Sequence, residues 1–133
     1  MDDIVIETAA PIEPVDYRRL RDAAGWATPE LDDVSLAASL AATWNVVARR
    51  GEQIVAIGRL LDDGALYASI WDMLVVPELQ RRGLGERILR LLLERAEGRT
   101  IVALVATEAG RPLYERYGFT AASRGSVGML RRG

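Results

Sequence analysis

The spacing of apolar and polar residues changes several times along this chain of 133 residues, and each change marks an element. Ile4 to Glu7 alternate weakly, as a first strand would. Pro14 to Ala24 put Val15, Leu20 and Ala24 on one side, with Asp16 in the first turn and Gly25 as a stop, which predicts a helix. Thr28-Pro29-Glu30 predicts the start of a second helix: a capping hydroxyl, then proline at the first helical position. Leu31, Val34, Ala38 and Ala41 continue it at helical spacing. Trp44 to Ala48, Ile54 to Leu61 and Leu66 to Val76 predict three strands of an antiparallel meander, turned at Arg50-Gly51-Glu52 and Asp63-Gly64. Pro77 closes the third, since proline has no N–H for a ladder. Gly83 to Ala96 give the strongest helical pattern, with Leu84, Ile88, Leu91, Leu92 and Arg95 tracing its faces and Gly98 as a stop. Ile101 to Val105 are nearly all apolar, as expected of a short strand covered on both faces. A short helix from Arg111 to Tyr117, stopped by Gly118, precedes a hairpin of Phe119–Ala122 and Val127–Leu130. The order βααβββαβαββ predicts an α+β (α/β) mixed sheet with helices on both sides. Residues 1–133 are expected to form one domain.

Composition narrows the chemistry. The chain lacks cysteine and histidine, and all of its 17 basic residues are arginine. Disulfides, thiol nucleophiles, thiolate and imidazole metal sites, His general bases and lysine Schiff bases are therefore excluded. Proton transfer is left to Asp, Glu, Tyr and water, and no metal is expected. The net charge of −2 is spread with mixed signs. The pairs Arg18-Arg19, Arg81-Arg82 and Arg131-Arg132 are too short for a nucleic-acid stripe, so no nucleic-acid partner is expected. No apolar run approaches the ~20 residues of a membrane span, and the start Met1-Asp2-Asp3 argues against a targeting peptide. A cytoplasmic protein with no membrane partner is the expectation.

The segment Gln80-Arg81-Arg82-Gly83-Leu84-Gly85 follows a strand and opens a helix. Glycines there admit turn dihedrals and close approach of a ligand. A helix start offers unpaired N–H groups and partial positive charge, each such interaction being worth roughly 0.3–1 kcal/mol. With the adjacent arginines this makes a receptor for a diphosphate; a plain strand–helix turn with solvated arginines is the other reading. A first-strand GxGxxG and a P-loop GK[ST] are both missing.

Val75-Val76-Pro77 followed by Gln80-Arg81-Arg82-Gly83-Leu84-Gly85 resembles the acetyl-CoA signature of the GCN5-related N-acetyltransferases, Q/R-x-x-G-x-G/A after a strand ending V-x-P. Leu113-Tyr114-Glu115-Arg116-Tyr117-Gly118-Phe119 is similar to a second family element, a tyrosine in a short helix ending in G-F. Ile70 to Val75 and Gly128-Met129 resemble the plastid and cyanobacterial serotonin N-acetyltransferase branch. The asparagine and aspartate that precede the tyrosine there correspond here to Glu108 and Pro112.

The resemblance implies an acyl-CoA N-acyltransferase fold and direct transfer of acetyl from acetyl-CoA to a primary amine of a small molecule, an arylalkylamine among the candidates. Leu74, Val75 and Val76 are expected to part from the next strand and offer backbone groups to the pantetheine arm and thioester. Gln80, Arg81, Arg82, Gly83, Leu84, Gly85 and Glu86 are expected to hold the diphosphate. The resemblance makes Tyr114 the acid for the departing thiolate. Asp72, a carboxylate in an apolar stretch, is the first candidate base, with an ion pair to an arginine as its other reading. Glu108 is the second. Trp26, Tyr67 and Trp71 either line the acceptor pocket or pack in the core. A protein acceptor, a non-catalytic CoA-sensing module and a homodimer are further expectations.

Overall fold

Two reversals at Gly51 and Gly64 fold the middle of the chain into the expected meander, with φ of +63° and +85° there. The computed structural model of the protein describes residues 3–123 and 125–133; Met1 and Asp2, part of the acidic start, lie outside them. The elements are β1 (Ile4–Thr8), α1 (Pro14–Ala23), α2 (Asp33–Ala41), β2 (Trp44–Arg50), β3 (Gln53–Asp62), β4 (Tyr67–Val75), a 3-10 turn (Pro77–Leu79), α3 (Leu84–Arg95), β5 (Ile101–Leu104), α4 (Arg111–Arg116), β6 (Ala122–Ser123) and β7 (Ser126–Val127). The helices and strands follow the predicted order. Five strands form one mixed sheet, β1-β2-β3-β4-β5, antiparallel except for the parallel pair β4–β5. Among the described residues, β6 and β7 pair only with each other.

Helices cover both faces of the sheet. α3 buries Leu84, Ile88, Leu89 and Leu92. Its approach to β3 depends on Gly58, where an added Cβ would lie 2.7 Å from both Ile88 and Met73 and 2.9 Å from Leu92. On the opposite face α1 buries Tyr17 and Leu20, and α2 buries Leu36 and Leu40.

Four expectations need correction. α2 begins at Asp33, capped by Asp32, whose carboxylate accepts the Ser35 N–H at 2.7 Å. Arg guanidiniums bond the carbonyls of Ala27 and Leu31, which keeps the Thr28-Pro29-Glu30 stretch out of the helix. The buried stripe of α2 is Leu36 and Leu40; Leu31 and Val34 are exposed. β5 is covered on one face only, because Ile101 and Ala103 are exposed while Val102 and Leu104 turn inward. The last hairpin is also shorter than expected, with two residues in each strand.

One ion pair ties the far end of β3 to the approach to β5. Arg99 donates from Nε and Nη2 to the two oxygens of Asp62, at 2.7 and 2.9 Å. The Arg99 hydrogen bonds, helped by the Gly64 N–H, lower the Asp62 carboxyl from 3.8 to about 2. Its stabilising contribution is thus fully present above pH 3.8 and lost as pH falls through about 2. In urea melts followed by circular dichroism, Asp62→Asn should therefore be less stable than wild type above pH 3.8. The two curves should converge as the pH approaches 2.

Candidate active site

β4 pairs with β5 only from Tyr67↔Ile101 to Ile70↔Leu104. Immediately beyond, β4 bulges. Trp71 pairs with Arg59 and Leu74 with Ile57, so Asp72 and Met73 together face Gly58. Asp72 takes a left-handed φ of +54° at this point. A bulge bends its strand and sharpens the twist, and here it separates the second half of β4 from β5. Past Ile70 the two strands are unpaired, and this gap has main-chain groups of β4 along one side.

Which groups enter that gap follows from strand alternation. The Val76 N–H donates to Val55 O of β3 at 3.0 Å. Groups two residues apart share a side, so Leu74 also bonds toward β3, and the N–H and C=O of Val75 turn into the gap. The Gln80 amide reaches back to donate to Val75 O at 3.0 Å. Of the three residues expected to offer backbone groups, Val75 turns its N–H away from β3, whereas Leu74 and Val76 face the β3 ladder and their side chains lie in the core.

The turn after β4 brings further donors to the same end. Arg81 and Gly83 have φ of +64° and +83°, and Gly83 is the helix N-cap. Only glycine takes the second value without strain. The first helical bond of α3 runs from Arg87 N to Gly83 O, so the N–H groups of Leu84, Gly85 and Glu86 point out of the helix start. A Cβ at Gly85 would meet Val75 at an ordinary 3.8 Å, so packing does not require glycine there; its absent side chain leaves the helix end bare. Arg81 and Arg82 are exposed beside it. Left-handed residues alternating with such a turn make a concave nest of N–H groups suited to a diphosphate.

The Glu86 side chain has another task. It accepts from Arg116 of α4 at 2.7 Å and pairs with Arg90 at 3.6 Å. Arg90 in turn donates to the Tyr117 hydroxyl at 2.7 Å. α4 is thereby fastened to the first turns of α3, and it follows β5 in the chain at the end where the gap opens. Tyr114 of α4 is half-buried, its ring edge-on to Phe119 at 6.0 Å and close to Gly110, where a Cβ would lie 3.3 Å away. Burial raises its hydroxyl above the usual 10.0, so it stays protonated at neutral pH.

Asp72 takes the ion-pair reading. Its Oδ2 accepts from the Tyr17 hydroxyl at 2.7 Å and Arg59 Nη1 at 2.9 Å, and its Oδ1 from Arg21 Nη1 at 3.1 Å. A carboxylate shared by two guanidiniums and a phenol is a counter-ion in position, not a vacant acceptor for an amine proton. Arg59 also donates to Thr43 Oγ1 and Ser39 O, and Arg21 to Ala27 O. The cluster thus binds α1 and α2 to the bulge. Burial, then the Asp72 charge, raises the Tyr17 hydroxyl and keeps it a donor. Tyr17, Arg21 and Arg59 escaped the sequence reading. Their signal was Arg59, a lone charge within an apolar strand, one hairpin away from the equally isolated Asp72.

The remaining candidates are dispersed. Tyr67 and Trp71 share the sheet face that α1 and α2 leave uncovered, and Trp71 Nε1 donates to Ser69 Oγ at 2.7 Å. Trp26 lies under the Arg21 guanidinium at 5.4 Å. Glu108 is exposed in the turn before α4. Among the described residues, acidic side chains form no cluster able to hold a metal ion, and no helix is long and apolar enough to cross a membrane.

Comparison with known proteins fits this geometry. A family model described as an acetyltransferase (GNAT) domain matches residues 42–121, a stretch that holds the bulge, the gap, the turn and Tyr114. The Arabidopsis thaliana protein named GCN5-related N-acetyltransferase 2, chloroplastic, is 29% identical over 155 aligned residues, covering 98% of this chain and 58% of that one. The Glycine max protein named histone acetyltransferase TAP1 is 28% identical over 146 residues, covering 98% and 62%. The chain spans about three-fifths of the length of these curated relatives. A GNAT-family acetyltransferase from Streptococcus pneumoniae superposes with a TM-score of 0.82 at 25% identity, over 98% of both chains. With a family model that spans β2 to α4 and a whole-chain structural match, the chain belongs to the GNAT acetyltransferase family.

Proposed function

We propose that the chain is an acetyl-CoA-dependent N-acetyltransferase that moves the acetyl group directly to a primary amine of a small molecule. The observation that carries this reading is the end of β4–β5 pairing at Ile70, with the Val75 N–H turned away from β3 by strand alternation, next to the donor-rich start of α3. Acetyl-CoA fits these residues. The N–H groups of Leu84 to Glu86 and the exposed arginines take the diphosphate, and the extended arm lies along the open side of β4. The amine nitrogen attacks the thioester carbon, and the charge that develops on oxygen is met by the Val75 N–H. The C–S bond then breaks and the sulfur takes the Tyr114 proton. The amine loses its own proton to water or to Glu108, since Asp72 is occupied by Arg21 and Arg59.

A protein acceptor is the second reading, favoured by the soybean relative named as a histone acetyltransferase and by the open, aromatic face at Tyr67 and Trp71. Calorimetry with acetyl-CoA, followed by free-thiol release over a panel of arylalkylamines, polyamines, amino acids, aminoglycosides and peptides, tests both. Binding with release on a small amine is expected. Release on peptides alone transfers the activity to the second reading. Binding without any release leaves a CoA sensor, and no binding removes the proposal.

A further inference from the structure

Arg59 is buried in β3 between Gly58 and Leu60, and a charge in such a place persists only where its donors are met. Each of its three nitrogens is met by the protein. Nε donates to Thr43 Oγ1 at 3.0 Å, Nη2 to Ser39 O at 2.8 Å and Nη1 to Asp72 Oδ2 at 2.9 Å. Ser39 belongs to α2 and Thr43 follows it, so the end of α2 fixes the guanidinium and one N–H is left to face the β4 bulge. The main chain of Arg59 meanwhile pairs with Trp71, the last β4 residue in register before the bulge. One residue thus grips the register break twice, through its backbone at position 71 and its side chain at position 72.

That break decides which main-chain groups face β3. Between the pairs Trp71↔Arg59 and Leu74↔Ile57, β4 carries one residue more than β3. A change of register by one residue moves every later group to the other side of its strand. Without the extra residue, the Val75 N–H would take the place at Val55 O that the Val76 N–H now holds. The bulge also needs restraint, because Asp72 sits at a left-handed φ of +54°, which a residue with a side chain adopts only when its surroundings impose it. The restraint is its carboxylate, and Arg59 makes the shorter of the two guanidinium contacts to it, 2.9 Å against 3.1 Å for Arg21.

We propose that Arg59 is a positioning residue for acetyl transfer: through the Asp72 carboxylate it holds the β4 bulge in the register that turns the Val75 N–H toward the thioester oxygen. This rests on the acetyl-CoA reading above. Arg59 touches no reacting atom, since its nitrogens are engaged by Thr43, Ser39 and Asp72. Geometry matters here beyond charge. A lysine ammonium in its place could pair with Asp72, but it lacks the planar fork that holds all three partners at once.

Infrared difference spectra of acetyl-CoA isotope-labelled at the thioester carbonyl, read beside steady-state kinetics, are the test. In wild type the bound carbonyl band should lie below that of free acetyl-CoA, because a fixed N–H polarises the bond. Arg59→Lys should return the band toward its free position and lower kcat by about 10-fold or more, part of the cost of a lost oxyanion donor. Its KM for acetyl-CoA should stay within about 3-fold, since the donors at the start of α3 are untouched. Tyr17→Phe keeps the ring beside Arg21 and Arg59 at 5.7 Å and loses only the bond to Asp72. It should move the band the same way and lower kcat by about 3-fold, which keeps the test open if Arg59→Lys does not fold. Arg99→Met breaks the Asp62 pair far from the bulge; it should cost stability and leave band and kcat as in wild type. A lowered wild-type band that Arg59→Lys and Tyr17→Phe both retain, with kcat unchanged, overturns the positioning role alone. An equal loss in Arg99→Met also overturns it, because the effect would then be general loosening. A wild-type band no lower than that of free acetyl-CoA removes Val75 as the oxyanion donor, and the role of Arg59 with it.

Discussion

Tyr114→Phe is expected to lower kcat for acetyl transfer by about 10²–10⁴, the range of a lost general acid. The KM for acetyl-CoA and the melting temperature should barely move. The packing explains this separation. The ring is held by the edge contact with Phe119 and the close approach to Gly110, and phenylalanine keeps both contacts. Only the hydroxyl is lost, and burial holds that hydroxyl protonated past its usual 10.0. Any alkaline limb that Tyr114 sets in a kcat–pH profile therefore lies above pH 10.0. Tyr117→Phe is the control. Its hydroxyl accepts from Arg90 at 2.7 Å, so the loss is one partly exposed hydrogen bond, about 1 kcal/mol of stability, with less than about a 10-fold change in rate. Initial rates of both variants on an accepted amine decide the matter. A large loss at Tyr117 with little at Tyr114 would exchange their roles.

The local signals in the sequence carried the fold further than the site. Strands and helices whose side chains meet the core in a regular period were readable, because period depends on neighbours along the chain: α3 and the β2–β4 meander are the clearest cases. The glycine turn at Gly83 was readable for the same reason, since a positive φ leaves a residue-type signature. What escaped depends on partners distant in sequence. The start of α2 was misplaced because guanidiniums of α1 bond the carbonyls of residues 27 and 31, which a capping pattern cannot reveal. β5 looked like a strand buried on both sides, because an apolar run looks the same whether it is covered by its own chain or left bare. The side to which the backbone groups of Leu74, Val75 and Val76 turn was not legible, for want of the strand partners and the bulge. Asp72 was recognised as an unusual charge, but its partners lie 51 and 13 residues away.

Asp72→Ala is expected to destabilise the fold by about 3–5 kcal/mol, the cost of removing one partner from a buried charge cluster. The side chains of Arg59, Asp72 and Arg21 are 8%, 12% and 16% exposed, so water cannot replace the missing carboxylate easily. Arg21 Nε already lacks a partner among the described residues, and the variant would take the carboxylate from Arg59 Nη1 and leave Arg21 Nη1 only the Tyr17 hydroxyl at 3.4 Å. Part of the loss belongs to the backbone. At φ +54° an aspartate or asparagine is tolerated better than alanine. Asp72→Gly should therefore recover the backbone share and leave the electrostatic one. Asp72→Asn keeps the shape and the backbone but gives up the charge, so it should fall between wild type and alanine. In kinetics, Asp72→Asn assayed below its melting temperature should retain the ionisation limbs of the wild-type pH–rate profile, because a carboxylate engaged by Arg21, Arg59 and Tyr17 takes no proton from the amine. Loss of the acidic limb in that variant would restore Asp72 as the base. Pairing Asp72→Leu with Arg59→Met should regain part of the lost stability, since an ion pair replaced as a unit leaves no orphaned charge between those two positions. Urea titrations of the single and double variants measure that coupling. A double variant no better than the sum of its parts would mean that the bulge is held by packing rather than by charge.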